Sequence, residues 1–189
     1  MDADDFPLLG EPLAVELANT RYLDGADVID FLAPRERAEA WARHALAGQT
    51  APRRWSAAAA GQLRELRDAV FELLSACASG GVPSAAAIAN VNASAATACA
   101  HAALDWPDTD VPRARVEFCG EPLAVVTARF ATSCIEVVIG HPEHAVRRCE
   151  GPGCALLFVQ RHGRRRFCHA GCSHRARQRR YVNTHRENV

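Results

Sequence analysis

The sequence predicts an α+β protein in two unequal parts. A mostly helical N-terminal domain with a small β-hairpin would span residues 1–146. A small cysteine-rich knuckle of treble-clef-like form, a β-hairpin and a helix, would span 147–189. Three observations lead there. Apolar residues recur at three- and four-residue spacing through the first two thirds of the chain. One stretch, 113–118, alternates with period two. Near the end, Cys149, Cys154, Cys168 and Cys172 form two close pairs separated by thirteen residues.

The elements follow in order. Leu13 and Leu17 stand four apart and suit a short helix over 12–20, with a strand as the alternative reading. Residues 21–33, with Gly25 and several aspartates, read as a loop. Pro34 fits the first turn of a helix, where its missing N–H has no partner to lose. That helix runs to about Gly48 and carries Ala38, Trp41, Ala42, Ala45 and Leu46 on one face. A longer helix starts near Trp55 and Ser56 and stops before Gly80-Gly81, with Leu63, Leu66, Val70, Leu73, Leu74 and Cys77 as its buried stripe. Pro83 and Ser84 open the next helix, whose face of Ala87, Ile88, Val91, Ala95 and Ala98 permits close packing. Residues 113–118 read as a strand, 119–122 as a turn and 123–126 as the returning strand of a hairpin. A helix over 130–139 then leads through Gly140-His141-Pro142 to the cysteines.

Hydrophobic content of 49% and charged content of 23% are those of a soluble globular protein. No apolar run reaches the roughly 18 residues of a membrane span, and the acidic start lacks the features of a secretory signal. A cytoplasmic location is therefore expected, with no membrane partner. Thiols stay reduced there, and clustered cysteines are metal ligands rather than disulfides. The zero net charge conceals a split. Residues 147–189 hold eleven arginines against Glu150 and Glu187, a formal +9, and residues 1–146 balance this at −9. A basic end on an acidic body points to a nucleic-acid partner.

Two cysteine pairs across a short loop are the ligand layout of a structural Zn2+ site, one ion held by Cys149, Cys154, Cys168 and Cys172. Gly151 and Gly153 lie between the first two ligands and allow the sharp turn that aims both sulfurs inward. Residues 155–158 and 165–167 are expected as two short strands turning at His162-Gly163, with Leu157, Phe158 and Phe167 as a small core. Cys172 then opens a last helix over about 172–184, where the helix dipole favours a thiolate. Four thiolates leave no open position for substrate, so the metal is structural; His169 and His174 are the alternative ligands nearby. On the last helix, Arg175, Arg177, Arg179 and Arg180 are candidate nucleic-acid contacts. Arg164, Arg165 and Arg166 are candidate phosphate anchors, since guanidinium suits both phosphate and guanine edges.

The run Arg148-Cys149 to Phe158, then Gly163 to Cys168 and Cys172-Ser173-His174-Arg175 to Tyr181, resembles the CGNR zinc finger. Leu13 to Thr20 and Arg64-Glu65-Leu66-Arg67 resemble the ABATE domain that usually precedes it in bacterial proteins described as stress-induced transcription regulators. The resemblance spans nearly the whole chain and implies a DNA-binding regulator with a sensing N-terminal domain. Ser173 and His174 replace the Gly and Asn of the family's name motif, and the last cysteine pair is one residue shorter than in many members. RNA or a protein surface is the alternative partner. One small finger offers limited contact, so a homodimer fits the reading.

Weaker signals read as follows. Asn19 and Thr20 are the most interesting polar pair of the first domain, either lining a ligand pocket or bonding the loop that follows. Cys77, Cys99, Cys119 and Cys134 read as core thiols, with a redox-sensing pair as the alternative. His141 and His144 lack further ligands. Asp105, Asp108 and Asp110 read as a solvated loop. No nucleophile elbow, phosphate-binding glycine loop or zinc-protease helix is present, so no enzyme is expected.

Overall fold

The computed structural model describes residues 8–24, 27–46, 54–107, 111–141 and 144–186. Gly25, Gly48, Asp108, Asp110 and Pro142, to which roles were given above, lie outside them. The element order is α1 (Leu13–Ala18), β1 (Arg21–Asp24), β2 (Asp27–Asp30), α2 (Arg35–Ala45), α3 (Ala57–Ser79), α4 (Ala85–Ala95), β3 (Cys99–Asp105), β4 (Arg113–Cys119), α5 (Pro122–Ile139), β5 (Val146–Arg148), β6 (Leu157–Val159) and α6 (Ala170–Arg186). Three separate antiparallel pairs, β1–β2, β3–β4 and β5–β6, make up the strands among the described residues.

The helices form where local chemistry and the apolar stripe agree. Ser56 and Ser84 each accept a hydrogen bond from the backbone N–H three residues on, which satisfies one of the donors left free at a helix start. Gly80, at φ 69°, closes α3 in the left-handed conformation. Leu63, Leu66, Val70, Leu73 and Leu74 of α3 are buried together with Leu17, Trp41, Phe130 and Val126. Trp41 and Phe130 stack at 5.4 Å between ring centroids, tying α2 to α5. Helices α1, α3, α4 and α5 pack on one another around this core.

Three expectations need correction. Residues 21–33 are not a loop throughout: β1 and β2 form a short hairpin from Arg21↔Asp30 to Asp24↔Asp27. Buried Arg67 then pairs with Asp30 at 2.6 Å, and Arg64 donates to the Leu32 carbonyl at 3.0 Å. The partner of the 113–119 strand is not 123–126 but β3, which precedes it, with Cys99 opposite Cys119 and Asp105 opposite Arg113. Residues 123–126 belong to α5, which Pro122 opens at its first turn. An apolar run of four suits strand and buried helix equally, and Pro122 was the distinguishing signal.

Helix α5 is long and apolar enough to cross a membrane by length and composition. It contains Arg129 and Glu136, and eight of its residues, Phe130 and Cys134 among them, are buried against the other helices. It is a core helix.

Candidate metal centre and nucleic-acid interface

The knuckle is built on β5 and β6, not on the 155–158 and 165–167 pair expected. Val146, Arg147 and Arg148 face Val159, Phe158 and Leu157, and Arg165–Phe167 crosses the cysteine cluster without joining a sheet. Hydrogen-bonded positions alternate along such a ladder. Cys149 donates to Leu156 and Gln160 to Ala145, so the N–H groups of Leu157 and Val159 point away from β5. No third strand among the described residues continues this pair, and side chains take its place. The Asn19 amide donates to the Leu157 carbonyl and accepts from the Leu157 N–H, both at 2.9 Å. Glu11 Oε2 accepts from the Val159 N–H at 3.0 Å. Val146, Leu157 and Val159 thereby join the main helical core, whereas Phe158 turns to the cysteines.

All four cysteine sulfurs lie within 4.8 Å of one another. Tetrahedral zinc–sulfur bonds of about 2.3 Å place the sulfurs about 3.8 Å apart. Cys154–Cys168 at 3.8 Å and Cys168–Cys172 at 3.6 Å match that spacing. The Cys149 sulfur accepts from the N–H of Gly151 at 3.4 Å and of Cys168 at 3.3 Å, the donors that orient a ligating thiolate. Gly151 is required for space: a Cβ there would stand 2.8 Å from the Cys172 Cβ and 3.1 Å from its sulfur. Gly153 is required for conformation, at φ 73°.

Helix α6 supplies the fourth ligand from its first turn. The Cys172 sulfur accepts from Arg175 Nη2 at 3.0 Å. His169 Nδ1 accepts from the Gly171 N–H at 3.0 Å, which leaves its Nε2 to carry the proton toward the Cys172 sulfur at 3.5 Å. His169 therefore supports a ligand from outside the coordination shell. As thiols, Cys154, Cys168 and Cys172 hold their protons unequally. The hydrogen bond with Cys168 holds Cys154 down at about 5. The same contact, with burial, pushes Cys168 far above the ordinary thiol range, and burial pushes Cys172 up to about 11. A divalent cation resolves such a cluster by displacing the remaining protons. The donor set is closed, mostly buried and soft, and it fits one structural Zn2+.

The predicted arginines divide into two groups. Arg165 turns inward: it pairs with the buried carboxylate of Glu11, donates to the Cys168, Phe167 and Val159 carbonyls, and lies 4.7 Å over the Phe158 ring. Its donors are thus already engaged within the fold. Arg166 pairs with Glu150 on the surface, and that contact holds the Glu150 carboxyl below its ordinary value. Arg164, Arg177, Arg179 and Arg180 are exposed and form no ion pair among the described residues. Arg166, Arg179 and Arg180, with Phe167 and Asn183, line a cleft between the 150–153 turn and α6.

Asn19 and Thr20 are buried. Asn19 clips β6 as described, and the Thr20 hydroxyl donates to the Leu17 carbonyl at 2.7 Å. Sequence reasoning did not single out Glu11 or Glu16. The Glu16 carboxylate, its pKa raised by burial, accepts from the Leu9 and Glu11 N–H groups and so presents Glu11 to the knuckle. Their one visible signal was position: Glu11 stands two residues before Leu13, and Glu16 interrupts the apolar run of α1. His141 and His144 bring no further ligand together; His141 Nδ1 accepts from the Val146 N–H.

No curated protein sequence matches the chain. Residues 145–185 match the family model described as CGNR zinc finger. Residues 11–141 match the model described as "ABATE: Putative stress-induced transcription regulator". The chain belongs to the ABATE family and carries a CGNR zinc finger at its C-terminal end.

Proposed function

We propose that this zinc protein is a cytosolic, non-enzymatic transcriptional regulator that contacts DNA through residues 147–189 and is regulated through residues 1–146. One observation carries the reading. The zinc site anchors α6, and α6 presents Arg177, Arg179 and Arg180 to solvent without a carboxylate partner among the described residues. Arg164 lies on the same knuckle, and the Arg166–Glu150 pair is exposed, so a phosphate oxygen can take the place of Glu150. Arg175 links this surface to the metal through the Cys172 sulfur. A cleft among α3, α4 and α5, walled by Leu73, Ile88, Val91, Ile135 and Val138, supports the regulatory half of the reading, since its lining suits a small apolar effector.

The test is selection of the zinc-loaded protein on a randomised duplex DNA pool near physiological salt. The reading expects a defined enriched sequence, bound as a homodimer if the site is symmetric. Changing Arg179→Ala should then lower the log–log salt slope by about 0.9, the contribution of one phosphate contact. Absence of enrichment at full zinc loading would refute DNA readout and leave RNA or a protein surface as the partner.

A further inference from the structure

We infer that Cys99 and Cys119 form a hydroperoxide-oxidisable dithiol, a covalent modification site at the base of the β3–β4 hairpin. They stand directly opposite each other in the antiparallel register. Opposed residues of such a pair have Cα atoms about 4.5 or about 5.5 Å apart, and both values fall within the span a disulfide bridges. The two side chains share one face of the hairpin, so no backbone rearrangement has to bring them together.

That face also carries the chemistry to activate one of them. The next pair along it is His101 opposite Glu117. His101 Nδ1 lies 3.9 Å from the Cys119 sulfur, and its Nε2 lies 3.4 Å from Glu117 Oε2. The imidazole is placed to accept the thiol proton, and the carboxylate is placed to hold the ring in that orientation. Arg115, bound to Glu117 at 2.6 Å, completes the row.

Selectivity follows from the other six cysteines. Cys149, Cys154, Cys168 and Cys172 form the metal cluster. Cys134 is fully buried and pushed up to about 12 by that burial, and Cys77 is half-buried and raised by the same cause. Cys99 and Cys119 are the exposed thiols of the chain. Cys119 yields its proton to His101, and the thiolate attacks the terminal hydroxyl oxygen of a hydroperoxide. The O–O bond breaks, and the departing oxygen takes a proton and leaves as an alcohol, or as water from hydrogen peroxide. Cys119 is now a sulfenic acid. Cys99 attacks that sulfur, the S–O bond breaks, and water leaves with the Cys99 proton. Two thiols are oxidised by two electrons in all, and one peroxide is reduced. The new bond joins the segment leaving α4 to the segment entering α5, two walls of the apolar cleft.

The inference is independent of the nucleic-acid reading, because its test reads thiol chemistry alone. Zinc-loaded protein is treated with hydrogen peroxide near stoichiometry, remaining thiols are alkylated, and linked peptides are identified by mass spectrometry while released zinc is followed with a chromophoric chelator. A Cys99–Cys119 link should be the first product, formed before zinc appears. In Cys99→Ser, a dimedone probe should label Cys119 instead. His101→Ala should slow the link at least about tenfold. Zinc release while Cys99 and Cys119 remain alkylatable would overturn the inference, and so would a His101→Ala rate within about twofold of the parent.

Discussion

Replacing Asn19 with alanine tests how the zinc knuckle is held to the helical core. The Asn19 amide occupies the place of a missing strand beside β6, making two buried 2.9 Å hydrogen bonds to the Leu157 backbone across 138 residues of sequence. Leu157 is fully buried, so water does not readily replace either bond. Asn19→Ala leaves one N–H and one C=O without partners, at about 1–3 kcal/mol each. A loss of about 2–6 kcal/mol follows, a large part of the total stability of a domain this size. Urea unfolding of the zinc-loaded protein measures it, and hydrogen exchange at the Leu157 amide localises it. Asn19→Asp should recover little, because it keeps the acceptor but turns a buried carboxylate toward the Leu157 carbonyl. An Asn19→Ala protein within about 0.5 kcal/mol of the parent, with the Leu157 amide equally protected, would refute the reasoning.

Other outcomes are expected from the same structure. Arg165→Ala strands the Glu11 carboxylate, whose side chain is 1% exposed, and should cost about 3–5 kcal/mol, whereas exposed Arg164→Ala should leave thermal unfolding unchanged. Equal effects of the two would show that the Arg165–Glu11 pair holds nothing. Removing zinc with a chelator should melt the 17 residues of α6, because the small core beneath it consists chiefly of the ligands themselves with Phe158, Leu156 and Phe167. Circular dichroism should show that loss while the near-ultraviolet signal of the Trp41–Phe130 stack persists. Burial pushes the Cys134 thiol up to about 12 from 9.0, so the unfolded chain releases that proton first as pH rises. Stability should therefore be unaffected by this group below about pH 9 and should fall between about 9 and about 12. Cys134→Ala should flatten that part of the profile relative to the parent, as measured by alkaline urea titrations.

Part of this protein was legible in its residues alone because the relevant physics is local. The stripe from Leu63 to Leu74 forms a helix wherever it packs, Ser56 and Ser84 cap their own helices, and four cysteines around two glycines specify a metal turn. What escaped was pairing and role. Strand 113–118 was expected to pair with 123–126, but Pro122 opens an 18-residue helix there, and the strand pairs instead with β3, a segment that its sequence does not mark as a strand. The β1–β2 hairpin carries little apolar alternation of its own and gains a buried anchor through Arg67–Asp30. Arginines 164, 165 and 166 are chemically identical in the chain, yet only the folded protein turns Arg165 inward to Glu11 and leaves Arg164 in water. Asn19 likewise reads as a polar residue at a helix end until β6, 138 positions away, arrives beside it with one unpaired edge. Composition and spacing establish most of the helices and the metal ligands, because each is satisfied within a few residues. The partners of buried polar groups are assigned only in the tertiary structure, because burial is where an unpaired donor or acceptor becomes costly.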